Sequence, residues 1–463
     1  MEMNISITRF WPSLLLLAII AAGCASNSVE DAALPSANGA AEGDDGGPSD
    51  LEVLIESMDQ EARMADPEAD STVDIPEDLT AREIPGANEE ALVTIANVET
   101  FWTAEAPQLS LDYTPLDSNR LFPRSVLGET LDCTFNGQLN QIESNLAAFN
   151  AFVANCDEGI TVVWDDIGLQ PRLDIRFPGA GFAHLIAHEW GHVIQNQLGP
   201  NNRSVLLGEQ QADCYSGAYV AWAEDNGVEP FTTSRARDLA IVSTLETRDP
   251  VGSSPAAPNA HGNGFDRVRA AQEGYDNGVT FCSDFDNSPP PITQMPFTSQ
   301  EQADTGGNRP LDEKLTTIQP PLAQYFQSLS TEPIDEFLIE PDPQVLSAIN
   351  DQQGDGGVST LLGLSYAAAL QQAVGEETNG VEPALRRACL YGTFLGQTLS
   401  GNIISEVDGV SGPLTLSPGD LDESIKTLTN SPGVIANPGL VFEFVSAIRI
   451  GTVEGINGCR LRQ

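Results

Sequence analysis

Residues 181–198 read GFAHLIAHEWGHVIQNQL and contain His188-Glu189-Trp190-Gly191-His192. The 3.6-residue period over this stretch predicts a helix. His188 and His192 then stand one turn apart on one face, where both imidazoles can reach a single metal ion. Glu189 projects beside them, toward a metal-bound water whose proton it can take and pass to a leaving amine. A shuffled chain of this composition would contain HExxH on the order of a few times in a thousand. The spacing therefore outweighs the plain alternative of two surface histidines on an amphipathic helix.

Two histidines leave a tetrahedral site one protein ligand short. Sixteen residues after His192 begins a second helical stretch, GEQQADCYSGAYVAW at 208–222, with Glu209 at the seventeenth. Glu209 is the natural third ligand, with the fourth position left to water. Asp213 lies one turn later and can accept the proton of an imidazole nitrogen that faces away from the metal, fixing tautomer and orientation. The chain has four histidines. His184, one turn before His188, reads as a half-exposed surface residue. His261, in Pro258-Asn259-Ala260-His261-Gly262, has two readings: it could stabilise the oxyanion of a tetrahedral intermediate, or cap the helix that starts after Gly264. Tyr215 and Tyr219 are rival candidates for the oxyanion role.

GFAHLIAHEWGHVIQNQLG followed by EQQADCYSG resembles a bacterial family of neutral zinc metallopeptidases, whose pattern is an AHExGHxxQ helix and then an E-x-Q-A-D-C helix. The resemblance spans roughly residues 91–284 and continues through HGNGFDRVRAAQEGYDNG. It implies one Zn2+ held by the gluzincin set His188, His192 and Glu209, with Glu189 as base and peptide hydrolysis as the activity. The expected fold is α+β and zincin-like: mostly helical, with a small sheet before the active-site helix. ITVVWDD at 160–166 and LDIRF at 173–177 alternate as strands do. A peptide substrate is expected to lie antiparallel to an edge strand near Ile160–Asp165.

The chain has 463 residues, 67 acidic against 21 basic, and a net charge of -46. That balance excludes sequence-independent nucleic-acid binding, which needs a basic footprint, and anionic lipid surfaces repel it. Residues 10–23, FWPSLLLLAIIAAG, are too short to span a bilayer but suit a signal peptide. They end at Ala21-Ala22-Gly23-Cys24, which resembles a lipobox. The expectation is a signal peptide at 1–23, lipidation of Cys24, and a membrane-anchored lipoprotein on the cell surface or in the periplasm, secreted if Cys24 is unmodified. Residues 24–90 read as an acidic disordered tether, 91–285 as the peptidase domain and 286–310 as a linker. Six further cysteines in an exported chain favour disulfides.

Residues 311–463 read as a metal-free, degenerate copy of the helices before them. FDRVRAAQEGYDNGVTFC (265–282) aligns without gaps on FEFVSAIRIGTVEGINGC (442–459), and CYSG at 214–217 faces CLYG at 389–392. The repeat proposes the pairs Cys214–Cys282 and Cys389–Cys459, leaving Cys133–Cys156. The same shift sets Leu364, Ser365 and Ala368 opposite His188, Glu189 and His192, and Ala384 opposite Glu209, so no ligand survives. The functional alternative is a catalytically inactive, zinc-binding or partner-binding lipoprotein of the cell envelope. Glu189 argues against it, because a structural site needs no base.

Overall fold

Helix α1, Glu89–Glu105, starts at Asn88, whose side chain caps the Ala91 amide, and buries Ile95, Val98, Phe101 and Trp102. The computed structural model describes residues 82–460 apart from 129, 136, 200–202, 408 and 431–438. The expected signal peptide, Cys24 and most of the tether lie outside the described residues. The tether boundary needs correction: Arg82 pairs with the buried Glu99 and Ile84 is buried, so packing begins before residue 91.

Five strands follow: β1 Leu121–Pro123, β2 Thr130–Phe135, β3 Gln138–Glu143, β4 Ala151–Cys156 and β5 Gly159–Trp164. The main sheet has the order β1-β5-β4, with β1 parallel and β4 antiparallel to β5; β2 and β3 form a separate hairpin. The Cys133–Cys156 disulfide ties that hairpin to β4. Ile160–Trp164 therefore form the central strand, not an edge. Val162–Trp164 of β5 are paired on both sides, and β4 is the antiparallel edge. LDIRF is not a strand either: Leu173–Arg176 belong to helix α2, Leu169–Arg176. Leu169 and Leu173, four apart, bury one face, while Ile175 is 82% exposed.

The helices that carry the site come next: α3 Ala180–Leu198, α4 Val205–Asp225, α5 Ser234–Ser243 and α6 Gly264–Ser283. Residues 286–310 are mostly exposed but anchored at Thr293 and Gln294. Buried Thr293 and Gln294 donate their amides to Asp266, and a short helix, α7, forms at Gln300–Asp304. The second unit contains α8 Leu311–Ser328, α9 Pro343–Gln353, α10 Asp355–Ala373, α11 Val381–Leu399, α12 Asp420–Thr429 and α13 Leu440–Glu454. A small hairpin, β6 Ile404–Val407 with β7 Val410–Pro413, follows α11. The chain is thus mostly helical with a small mixed sheet. Among the described residues no helix is long and apolar enough to cross a membrane.

The two units share construction details. Helices α3 and α10 each have 19 residues, and α5 and α12 each have 10. Where α4 crosses α6, a Cβ on Gly217 would stand 1.8 Å from the Ala271 carbonyl oxygen, and one on Gly274 1.7 Å from that of Cys214. Where α11 crosses α13, Gly392 and Gly451 meet the carbonyls of Ile448 and Cys389 in the same way. Each crossing is closed by a disulfide, Cys214–Cys282 and Cys389–Cys459. The apolar cores are continuous: Ile241, Leu245, Phe265 and Val268 of the first unit join the second unit's cluster.

Any side chain at these crossings must push two backbones apart. Gly274→Val is expected to lower the unfolding free energy by about 3 kcal/mol, measured by urea denaturation.

Candidate metal centre

Gly191 stands between the two motif histidines, and a Cβ there would lie 2.8 Å from the Cα of Ala212. Its bare backbone lets α3 and α4 touch, and that contact delivers Glu209 to the histidines. His188 Nε2 lies 3.3 Å from Glu209 Oε2, and His192 Nε2 lies 3.4 Å from Glu209 Oε1. The three side chains converge so that one ligand atom of each falls within 4.8 Å of the others. Trp190 fixes the far side of α3, buried in the core with its indole N–H donating to Tyr113.

The outward nitrogens decide the tautomers. His188 Nδ1–H donates to Asp213 Oδ1 at 2.8 Å, and His192 Nδ1–H donates to Gln195 Oε1 at 3.0 Å. Gln195 is itself held by donating to the Gly208 carbonyl at 2.7 Å. Both Nε2 atoms therefore face Glu209, whose Oε2 is buried and takes no bond from any other group. Two imidazole nitrogens and a carboxylate oxygen left without a donor are a fitting set for a divalent transition metal. Burial alone would lower the His188 pKa, but Asp213 and Glu209 outweigh it and raise the imidazole to about 10. A metal at Nε2 must therefore displace a tightly held proton. Burial raises Glu189, against the lowering pull of His188 and His192. His192 and His261 keep some exposure, at 13% and 16%.

Asp213 takes more than the sequence reading gave it. Arg267, from α6, forks onto the same carboxylate, Nη2 to Oδ1 at 2.7 Å and Nε to Oδ2 at 2.9 Å, and its Nη1 donates to the Thr247 carbonyl. Burial would raise Asp213, but Arg267 and His188 hold it down at about 2. Arg267, Gln195 and Thr247 were not read from the sequence. Gln195 was visible as the residue three after His192; Arg267 stands in FDRVRAA beside Asp266 and Arg269, and nothing there singles it out.

Three expectations change. His184 is not half-exposed: it is 3% exposed, bonded to Ser216 Oγ at 3.1 Å, and burial lowers it to about 3, so it is neutral. His261 does not cap α6, because Asn263 does so by accepting from the Asp266 amide. Instead His261 is pinned by Asp249, which accepts from the amides of His261 and Gly262 and lies 3.5 Å from Nδ1. It is near enough to act electrostatically on Glu189 and Glu209. Tyr215 and Tyr219 point into the core against Trp102, Phe101 and Phe231, away from the oxyanion role.

A second convergence, Asp355, Asp420 and Glu423, lies in the other unit. It has a cation of its own: Lys314 Nζ sits 3.1 Å from Asp355 and 3.3 Å from Asp420. Burial and the neighbouring carboxylates raise Asp355 to about 6 and Glu423 to about 8, so protons take up the charge that Lys314 leaves.

No protein-family model, curated protein or solved structure matches the chain. The family resemblance therefore rests on the residues of the motif helices themselves.

Two outcomes follow from this geometry. Asp213→Asn removes the charge that both His188 and Arg267 face, and is expected to weaken metal binding roughly 10- to 100-fold, read by chelator competition. Glu423 binds its proton more tightly folded, at about 8, than unfolded, at 4.5. Its contribution to stability is therefore full below pH 4.5 and lost as pH rises through about 8. Melting temperature should fall across that window, and Glu423→Gln should flatten the slope.

Proposed function

We propose that this chain is an extracytoplasmic zinc metalloendopeptidase, carried by one observation: two imidazole Nε2 atoms and a bond-free carboxylate oxygen meet beside the buried acid Glu189. His188, His192 and Glu209 hold the ion. Zinc, when bound, acidifies water and polarises a peptide carbonyl. Asp213 and Gln195 keep both histidines in the tautomer that offers Nε2. Glu189 accepts the proton of the attacking water at its carboxylate and hands it to the departing amine. His261, steadied by Asp249, is placed to donate to the developing oxyanion.

The substrate is a peptide or protein segment in extended form. The outer edge of β4, which packs on α3 and is joined to the hairpin at Cys156, supports docking by strand addition over the residues before that junction; it replaces the β5 edge suggested by the sequence. The parallels in helix length, glycine crossings and disulfides support reading the second unit as a metal-free copy. Three disulfides and the apolar leader ending at Cys24 support an exported, lipid-anchored protein.

Glu189→Gln should retain one zinc per chain yet lose hydrolysis of a peptide library by about a thousandfold or more. Equal cleavage by that variant would rule out the mechanism, and zinc binding without cleavage by the wild type would favour the inactive lipoprotein.

A further inference from the structure

Each unit supplies an aspartate to the amino-terminal end of a helix in the other. Asp422, on α12 and 2% exposed, accepts from the first two amides of α6: Gly264 N to Oδ2 at 3.0 Å and Phe265 N to Oδ1 at 2.9 Å. Arg248 neutralises it at 3.1 Å. In return Asp238, on α5 and 6% exposed, accepts from Gly439 N at 2.7 Å and Phe442 N at 2.9 Å, at the start of α13. These are helix caps made across units, each placing a carboxylate on a positive helix end.

The two caps differ in what lies beyond them. With Asp422 on Gly264 and Phe265 and with Asn263 on the next amide, the first turn of α6 is held at every donor. The following residue is Arg267, whose guanidinium forks onto Asp213, which in turn accepts from His188. On α13 the corresponding residue is Phe444, which faces no ligand.

We infer that the second unit is a built-in positioning element for the metal centre: Asp422 sets the axial position of α6, and through Arg267 and Asp213 it sets the orientation of His188. Asp422 touches no ligand and is not a catalytic residue. Its consequence for hydrolysis rests on the peptidase reading; its consequence for His188 does not.

The reciprocal cap provides the control. Asp422→Ala and Asp238→Ala each remove two cap bonds at the same interface; Asp422→Ala also frees Arg248 and should cost more stability in urea. In zinc-loaded full-length protein, Asp422→Ala should speed zinc release to a chelator roughly tenfold or more and lower kcat with KM unchanged. Asp238→Ala should do neither. The low-field Nδ1–H signal of His188 in NMR should shift in Asp422→Ala alone, whether or not metal is present. Asp422→Asn, which keeps Oδ1 for Phe265, serves if the alanine variant does not fold and should fall between. Unchanged zinc release and an unchanged His188 signal in the Asp422 variants would overturn the inference, as would equal effects from Asp238→Ala. Absence of peptide cleavage by the wild type, with the His188 shift intact, would count against the peptidase reading alone.

Discussion

Everything at the metal centre hangs on one fully buried carboxylate. Asp213 has an imidazole on one oxygen and both nitrogens of a guanidinium fork across the pair. Taking a carboxylate out of water costs several kcal/mol, and only excellent geometry with other bonds satisfied offsets it. Here Arg267 supplies the charge, the carbonyl and hydroxyl of Thr247 accept from its Nη1, and His188 completes the set. A fork also fixes direction, which a lysine at the same place could not do. The imidazole is thus aimed by a rigid chain of donors rather than by its own rotamer preference.

That chain requires three helices closer together than side chains normally allow. Gly191 brings α3 against α4, and the Gly217 and Gly274 pair brings α4 against α6. The candidate ligands come from α3 and α4, their orienting cation from α6, and the disulfide Cys214–Cys282 closes the same α4–α6 crossing. Packing, covalent closure and site geometry are therefore set by one stack of helices. The sheet contributes an edge beside that stack rather than a ligand.

How much of this was legible depended on the range of each interaction. HExxH, Glu209 and Asp213 lie on two successive helices, and helical spacing alone puts their side chains on workable faces. LDIRF failed because five alternating residues fit a strand and a short helix equally well; Leu169, outside the quoted window, decides for the helix. His184 was misplaced because α3 is buried nearly all round, so its polar residues do not mark a solvent face. The partner that buries it, Ser216, lies on another helix. Arg267 acts across 54 positions, and nothing local to FDRVRAA says which carboxylate it meets. Asp422 acts across 158 and was lost among 67 acids.

The internal match offered one signal of the long-range pair. In the alignment of CYSG with CLYG and of FDRV with FEFV, Asp213 faces Ala388 and Arg267 faces Phe444. Both replacements are buried and apolar. Losing one member of a buried ion pair strands the other, at about 3–5 kcal/mol, whereas replacing both with well-packed apolar groups is often neutral or stabilising. On the duplication proposed here, the second unit has lost the pair together, along with every residue the pair would have served. Its own buried charge, Lys314 among carboxylates, sits instead at the starts of α10 and α12. An ion pair kept in one unit and cleanly removed from the other is what a pair retained for orienting a ligand, rather than for stability, would leave behind.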